Sequence, residues 1–583
     1  MNTAVALRKR NRFLNKDNLI LSVLLSISVP FVILIAVPFD IFCGNFDEFN
    51  CRLSDFIPLC SVMFLFFSAV IFMVLSLLKG TVYRIVSSAL LGLAVMLFIQ
   101  SNFMNRGIES LTGDNTETLT VSTLTVVLNL ILWIAVIAVF AVCGAVFVKK
   151  ADIVRSVSVV LALTTLIPYF VSCIALMFTT EDLFGKNYSD APYFSTVKNL
   201  TTLSKNKNVF VFCIDRFDDK FYEYASENTP EMFEELDGFT YFNNCTSLYG
   251  HTYPSVAYML TGKKFDATSR KEFLNNVYES AQTFKTLKDN GYIINVYTKS
   301  FYAFDSGRGL GPWCDNFIEA DMNDYNIKNP AQLSFLMVKM ALFRCLPYAL
   351  KRTVGSLGSD DANHFIEYNI DYPVYSLDMK KVYENVTDYE FELSDDKVFS
   401  FIHIEGCHSA RYDEEWEKQI SIDTTDPEEI NVSLRHSFEI IDEYIKEMKK
   451  DGVYEDATII ITGDHAVPVT DYSELKSERL TALLVKPSGD TETGVKTSGA
   501  PVSHENLWGT IFESEHIPSD IDLPPSVFNI NEDDTSPRYY YWHEFSRSKT
   551  TYSELVYRID GNARDFKNWT LAREDVHEGT LYE

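Results

Sequence analysis

Five apolar runs crowd into the first third of the chain, and they restrict its possible folds more than any other feature. They cover roughly Leu19 to Phe39, Phe56 to Leu78, Val82 to Phe103, Leu124 to Val148 and Val157 to Phe178. Nearly all reach the ~20 residues that an α-helix needs to cross about 30 Å of hydrocarbon. The third is the weakest, with a short apolar centre and with Arg84 and Gln100 near its ends. The first reads as a retained span and not as a cleaved leader, because it is long, has no small-residue cleavage site and is followed by four more. Residues 1–178 are therefore expected to form a five-helix transmembrane domain.

Charge placement orients these spans. Arg8, Lys9, Arg10, Arg12 and Lys16 precede the first run, and Lys79, Arg84, Lys149, Lys150 and Arg155 flank the second and fourth connections. The alternate loops carry Asp47, Glu48, Asp55, Glu109, Asp114 and Glu117. The positive-inside rule then puts the N-terminus in the cytoplasm, and an odd number of spans puts everything after Phe178 outside the cell membrane. Residues 1–178 hold 12 Lys and Arg against 9 Asp and Glu, and the whole chain carries −28, so the remainder carries about −31. So acidic a region is a poor partner for nucleic acid, whose affinity rests on basic phosphate contacts. The ten cysteines form no CxxC pair and define no metal site. Cys43 and Cys51 flank one short outer loop and are close enough in sequence to bridge.

Residues 179–207 are polar and aperiodic, as expected of a linker. From Asn208 the pattern changes to apolar strands alternating with amphipathic helices. Strands are expected at 209–214, 292–297, 398–404, 458–462 and 480–485, and helices near 283–289, 433–450 and 504–512. That alternation predicts an α/β sheet with helices on both faces, here spanning 208–517. The best helix repeats Leu434, Phe438, Ile441, Ile445 and Met448 at steps of three and four. An insert at 307–388 interrupts the alternation. Its apolar run, Leu333 to Phe343, is too short and too charged to span, and reads either as a helix packed on the domain or as one resting on the outer leaflet. The tail, 518–583, begins acidic and proline-bearing, and its aromatic segments Tyr539 to Trp542 and Tyr552 to Tyr557 suggest a small β-containing subdomain. His543 and His577 read there as surface residues.

Chemistry gathers on four side chains. In Tyr249 to Gly262, YGHTYPSVAYMLTG, Pro254 suits the first turn of a helix, which sets the Thr252 hydroxyl beside free N–H groups and the positive dipole end. Asp215 ends one predicted strand, and Asp464 and His465 end another. Ligands of open α/β sheets collect at such ends. Two carboxylates, an imidazole and a hydroxyl make an oxygen-and-nitrogen cage for one divalent metal ion, with Mn2+, Mg2+ and Zn2+ all compatible.

At these residues the chain resembles the alkaline phosphatase and sulfatase superfamily. The T-x-P-S-x5-T-G pattern of Thr252, Pro254, Ser255, Thr261 and Gly262 is similar to the sulfatase C/S-x-P-S-R-x4-T-G signature, with threonine at the nucleophile position and Val256 where the signature has arginine. Within the superfamily it looks most like the membrane-anchored lipoteichoic acid synthases, which transfer phosphoglycerol, and the phosphoethanolamine transferases. The resemblance covers roughly Asn208 to Phe512 and implies Asp215, Thr252, Asp464 and His465 as metal ligands, with aspartate where many relatives have glutamate. FIHIEGCH, Phe401 to His408, resembles the H-x-x-G-S-H segment of the phosphoethanolamine transferases at His403 and His408. Either imidazole could protonate the departing oxygen, deprotonate the acceptor or bind phosphoryl oxygens. His504, in SHENLW, and Lys299 are weaker candidates for holding substrate.

The reading that results is a sulfatase-like, metal-dependent phosphotransferase of the cell envelope. A head group from a membrane lipid donor would pass through a phosphothreonine intermediate to a cell-surface glycan or polymer. A hydrolase of the same superfamily and a catalytically inactive membrane receptor are the alternatives. A sulfatase is disfavoured because formylglycine is made from cysteine or serine, and Ser255 lies three residues too late.

Overall fold

A computed structural model of the chain describes residues 18–46, 49–105, 121–180, 183, 192–266, 269–300, 302–304, 307–321, 324–354, 358–408, 411–420, 423–467, 475–544 and 551–578. The basic N-terminal cluster, Asp47, Glu48, Glu109, Asp114, Glu117 and most of the 179–191 stretch lie outside the described residues. The chain divides into two compact units, one made of 1–189 with 321–369 and the other of 190–320 with 370–583.

The first unit holds five helices long and apolar enough to cross a membrane: α1 Leu19–Gly44, α2 Ile57–Leu77, α3 Gly80–Met104, α4 Thr123–Val146 and α5 Val148–Thr179. Their outward faces are apolar, with Leu65, Phe66, Ile134 and Val160 among the residues left more than half exposed. That pattern suits a hydrocarbon surround, in which the backbone must satisfy its own hydrogen bonds. α3 ends in a π-helical turn, Gln100–Met104. There the buried Gln100 side-chain oxygen accepts hydrogen bonds from Asn129 Nδ2 at 2.9 Å and Trp133 Nε1 at 3.1 Å.

The insert contributes to this unit too. Its helix, Pro330–Cys345, packs against α1 and α2. Ser334 Oγ donates to the Phe56 carbonyl at 3.2 Å, Arg344 pairs with Asp40, and Asn105 Nδ2 donates to the Arg344 carbonyl at 2.8 Å. The interruptions Lys339 and Arg344, which argue against a span, thus flank a helix whose apolar side has other helices to lie on, not the α/β unit. Among the described residues no disulfide joins Cys43, which is half-buried, to the buried Cys51.

The second unit is built on a seven-stranded sheet. In chain order its strands are β1 Asn208–Ile214, β2 Phe239–Phe242, β3 Tyr292–Tyr297, β4 Lys397–Ile404, β5 Ala457–Gly463, β6 Leu483–Lys486 and β7 Val495–Ser498. They lie in the order β7-β2-β6-β5-β1-β4-β3. β3, β4, β1 and β5 are parallel, while β6 is antiparallel to both β5 and β2. Every residue of β1 and β5 is buried, as expected for central parallel strands covered on both faces. Along β1, Val209, Val211 and Cys213 enter one core and Phe210, Phe212 and Ile214 the other. Each such side chain contributes roughly 1.5–3 kcal/mol by leaving water.

Helices α6 Asp219–Asn228, α7 Thr252–Thr261, α8 Gln282–Asp289, α9 Pro427–Lys450 and α10 Leu507–Ser514 cover the sheet. The periodic face of α9 is buried as its spacing requires, Asp426 caps its start, and Gly452 at φ +71° follows its end. The tail forms a three-stranded antiparallel sheet, β8 Pro537–Glu544, β9 Thr551–Asp560 and β10 Trp569–Glu578. His543 is not a surface residue: it is fully buried, with Nε2 3.1 Å from Glu554 Oε2, because its face of β8 turns toward the α/β core.

Candidate active site

Parallel register decides where the site forms. Ile214 of β1 is level with Ile404 of β4 and Gly463 of β5, so the residues that follow these three leave the sheet side by side. Asp215 leaves from β1, the loop to His408 from β4, and Asp464 with His465 from β5. α7 approaches the same end, and buried Ser255 at its start donates to the Asp464 carbonyl at 2.6 Å. The serine of the motif therefore ties the threonine helix to the end of β5.

Asp215, Asp464 and His465 are all buried, and one ligand atom of each lies within 4.8 Å of the others. Asp464 Oδ1 accepts two backbone hydrogen bonds, from Arg216 and His465, each at 2.9 Å. Its Oδ2 and Asp215 Oδ1 are buried without a hydrogen-bond partner. Orphaned buried carboxylate oxygens are costly unless a cation is bound to them. His465 Nδ1 lies 2.6 Å from the Ala466 carbonyl, which fixes its proton there and leaves Nε2 a bare lone pair. Thr252 Oγ1 is 3.3 Å from that Nε2, and Thr252 is only 7% exposed. Two carboxylates, an imidazole and a hydroxyl so arranged fit one divalent cation.

The β4 loop adds the two further histidines, and they differ. His403 is fully buried; its Nδ1 meets Thr298 Oγ1 at 3.0 Å and its Nε2 lies 3.7 Å from Asp215 Oδ2. His408 is half-buried. Gly406, between them, sits at φ +51°, where a Cβ would come within 2.3 Å of Ile214 Cγ2. Only glycine lets the loop turn that tightly over β1. Burial by itself would raise the Asp215 carboxyl, but the neighbouring imidazoles of His403, His408 and His465 hold it below its usual range.

Two expected residues stand apart. His504 is buried against β5, with Nε2 3.3 Å from Thr462 Oγ1, and burial depresses its imidazole to about 3. The helix that follows it packs on the same face of the sheet as α7, where Trp508 Nε1 donates to the Met259 carbonyl at 2.9 Å. Lys299 is exposed, and none of its described contacts reaches the cluster.

Three residues beside the predicted site residues were not singled out from sequence. His251, one position before Thr252, places Nε2 3.2 Å from the His543 carbonyl and stacks on Trp542 at 4.6 Å. Burial, followed by the charges of His465 and His543, keeps it well below the usual imidazole range. The loop that carries it is pinned by the tail: the Tyr541 N–H donates to Leu248 at 2.8 Å, and the Gly250 N–H donates to Tyr541 at 3.1 Å. Tyr253 is extended, at φ −93° and ψ 125°, and its bond to Pro254 is cis, so the regular turns of α7 begin after Thr252. Arg216 follows Asp215 at φ +59° and donates from Nη1 to the His408 carbonyl at 3.3 Å.

Comparison with known proteins finds similar solved structures and a matching family profile. Among solved structures, a lipoteichoic acid synthase, LtaP, from Listeria monocytogenes is 11% identical, with a TM-score of 0.34 over 65% of this chain and 86% of that one. A phosphonate monoester hydrolase from Silicibacter pomeroyi is 13% identical, with a TM-score of 0.37 over 64% and 89%. A protein of the alkaline phosphatase superfamily from Vibrio parahaemolyticus is 10% identical, with a TM-score of 0.34 over 66% and 86%. No curated protein sequence matches the chain significantly. The profile of the family described as Sulfatase matches residues 207–514, which is more than half of the sequence, and the chain belongs to the sulfatase family.

Proposed function

We propose that the protein is a membrane-anchored phosphotransferase whose nucleophile is Thr252. The observation that carries this reading is the Thr252 hydroxyl standing 3.3 Å from His465 Nε2 inside the Asp215, Asp464 and His465 cluster. When bound there, a divalent cation supplies the positive charge that favours threonine ionisation and polarises a phosphoryl oxygen. Thr252 Oγ1 attacks the phosphorus of a glycerophospholipid, the bond from phosphorus to the diacylglycerol oxygen breaks, and a phosphothreonine diester remains. His408, on the open side of the β4 loop, gives a proton to the departing oxygen. It takes one back from the glycan or polymer hydroxyl that displaces the phosphoglycerol or phosphoethanolamine group. His403, sealed from solvent, orients Asp215. The five apolar helices favour a membrane lipid donor, with the α/β unit on the outer side.

Hydrolysis by water of the same covalent intermediate is the second reading. A formylglycine sulfatase is disfavoured by the side chains, since the buried Ser255 hydroxyl is committed to the Asp464 carbonyl. The deciding experiment incubates detergent-purified protein with labelled phosphatidylglycerol or phosphatidylethanolamine and locates the retained fragment by mass spectrometry. A head-group phosphate on Thr252 is expected. Label on another residue, or on none with either lipid, overturns the transferase reading.

A further inference from the structure

The proposed chemistry leaves one requirement unmet. A phosphoryl group in transit carries charge on its nonbridging oxygens, and one cation held by Asp215, Asp464 and His465 does not contact them all. The sulfatase-like signature has an arginine four residues after its nucleophile, but here that position is Val256, fully buried in an apolar core. α7 therefore presents no guanidinium.

Arg216 comes from another direction. Its backbone N–H holds Asp464 Oδ1 at 2.9 Å, and its Nη1 reaches the His408 carbonyl at 3.3 Å, so the side chain runs from the carboxylate cluster toward the candidate acid. Its charge reaches both His251, beside Thr252, and Tyr302, whose ring lies 5.7 Å from that of His403. Among the described residues no carboxylate pairs with this guanidinium, and its Nε is buried without a hydrogen-bond partner. The φ of +59° is a left-handed conformation that arginine seldom adopts. Such backbone strain persists where the surroundings impose it, and it is common at functional sites.

We infer that Arg216 is the anion-binding residue of this site, its guanidinium gripping the nonbridging oxygens of the transferred phosphoryl group. This rests on the function proposed above and adds its substrate charge. Two carboxylates, one divalent cation and one guanidinium leave a net charge of about +1, which matches a singly charged ester better than a doubly charged one. Phosphodiesters are bound in preference to phosphomonoesters for that reason.

The test is calorimetric titration of inorganic phosphate into the full-length, Mn2+-loaded protein, comparing wild type with Arg216→Gln and Arg216→Lys. Losing a charge-assisted pair of hydrogen bonds weakens phosphate binding roughly 10- to 100-fold in Arg216→Gln, and Arg216→Lys recovers part of it. Mn2+ affinity and melting temperature stay at wild-type values, because the residue holds Asp464 through its backbone. Millimolar guanidinium restores phosphate binding to Arg216→Gln, which a purely structural role would not allow. Unchanged phosphate affinity in Arg216→Gln, or equal losses in Mn2+ and phosphate binding, overturns the inference. Arginine-dependent phosphate binding without label on Thr252 would leave this inference standing and remove the transferase reading.

Discussion

Replacing Gly250 by alanine tests whether the tail sheet sets the position of the nucleophile. A Cβ on Gly250 would lie 2.5 Å from Trp542 Cε3, 2.6 Å from Tyr540 Oη and 2.8 Å from Trp542 Cζ3, against the 3.4–4 Å of ordinary contact. About 1 Å of movement must be found. Trp542 is fully buried, and backbone hydrogen bonds hold Leu248 and Gly250 to Tyr541, so neither side yields freely. Overpacking of this kind costs about 1–3 kcal/mol of stability. The methyl also stands two residues from Thr252, and misplacing a reacting group by 1 Å lowers turnover by about 100-fold. Thermal unfolding and metal-dependent hydrolysis of bis(p-nitrophenyl) phosphate measure the two effects separately. Adding Trp542→Phe, which removes the crowding edge, restores turnover in the double variant beyond the sum of the single effects. Wild-type melting and turnover in Gly250→Ala would refute the argument, as would a double variant no better than the single one.

Metal dependence and pH supply two further tests. Mn2+ at 100 times its Kd raises stability by about 2.7 kcal/mol in the wild type and not in Asp464→Asn, read from melting temperature; a metal-independent wild type would remove the cage. Asp442 on α9 has its carboxyl raised from 3.8 to about 7 by burial. The native state thus keeps a proton that the unfolded chain loses near pH 4, so stability falls as pH rises from about 4 to 7. With partial exposure discounted, Asp442→Asn gains about 1–2 kcal/mol at pH 8 over wild type and less at pH 5. An equal gain at both pH values would show that the carboxyl is not perturbed.

The legible parts of the sequence were those whose pattern is local. Val209 to Ile214 and Thr458 to Thr462 are continuous apolar runs because both faces of a central parallel strand are covered, and the polar residues that end them mark the sheet edge where ligands gather. Asp215, Asp464 and His465 followed from that alone. β2 and β7 were not anticipated, since Phe239–Phe242 and Val495–Ser498 are short and the latter is polar and partly exposed. His504 opens a helix on the face of the sheet that α7 also covers, and its described side-chain hydrogen bond goes to Thr462 and not to the cluster. Arg216 adjoins a metal candidate in sequence, but no periodicity reports which way a left-handed residue points. The pairing of the threonine loop with β8 joins residues 292 positions apart, as His251 to His543, and a single sequence carries no trace of it. The insert was misleading for a similar reason: Arg344 looks like a surface charge until Asp40 is found beside it.

Because residues 321–369 belong with the apolar helices, the polypeptide passes between the two units three times, near 189, 320 and 369. A protease that nicks the 179–207 stretch therefore leaves two covalent strands intact and does not shed the α/β unit. Separating the two units needs cuts on both sides of the insert as well, so they stay covalently joined under conditions that would free a domain hung on a single stalk.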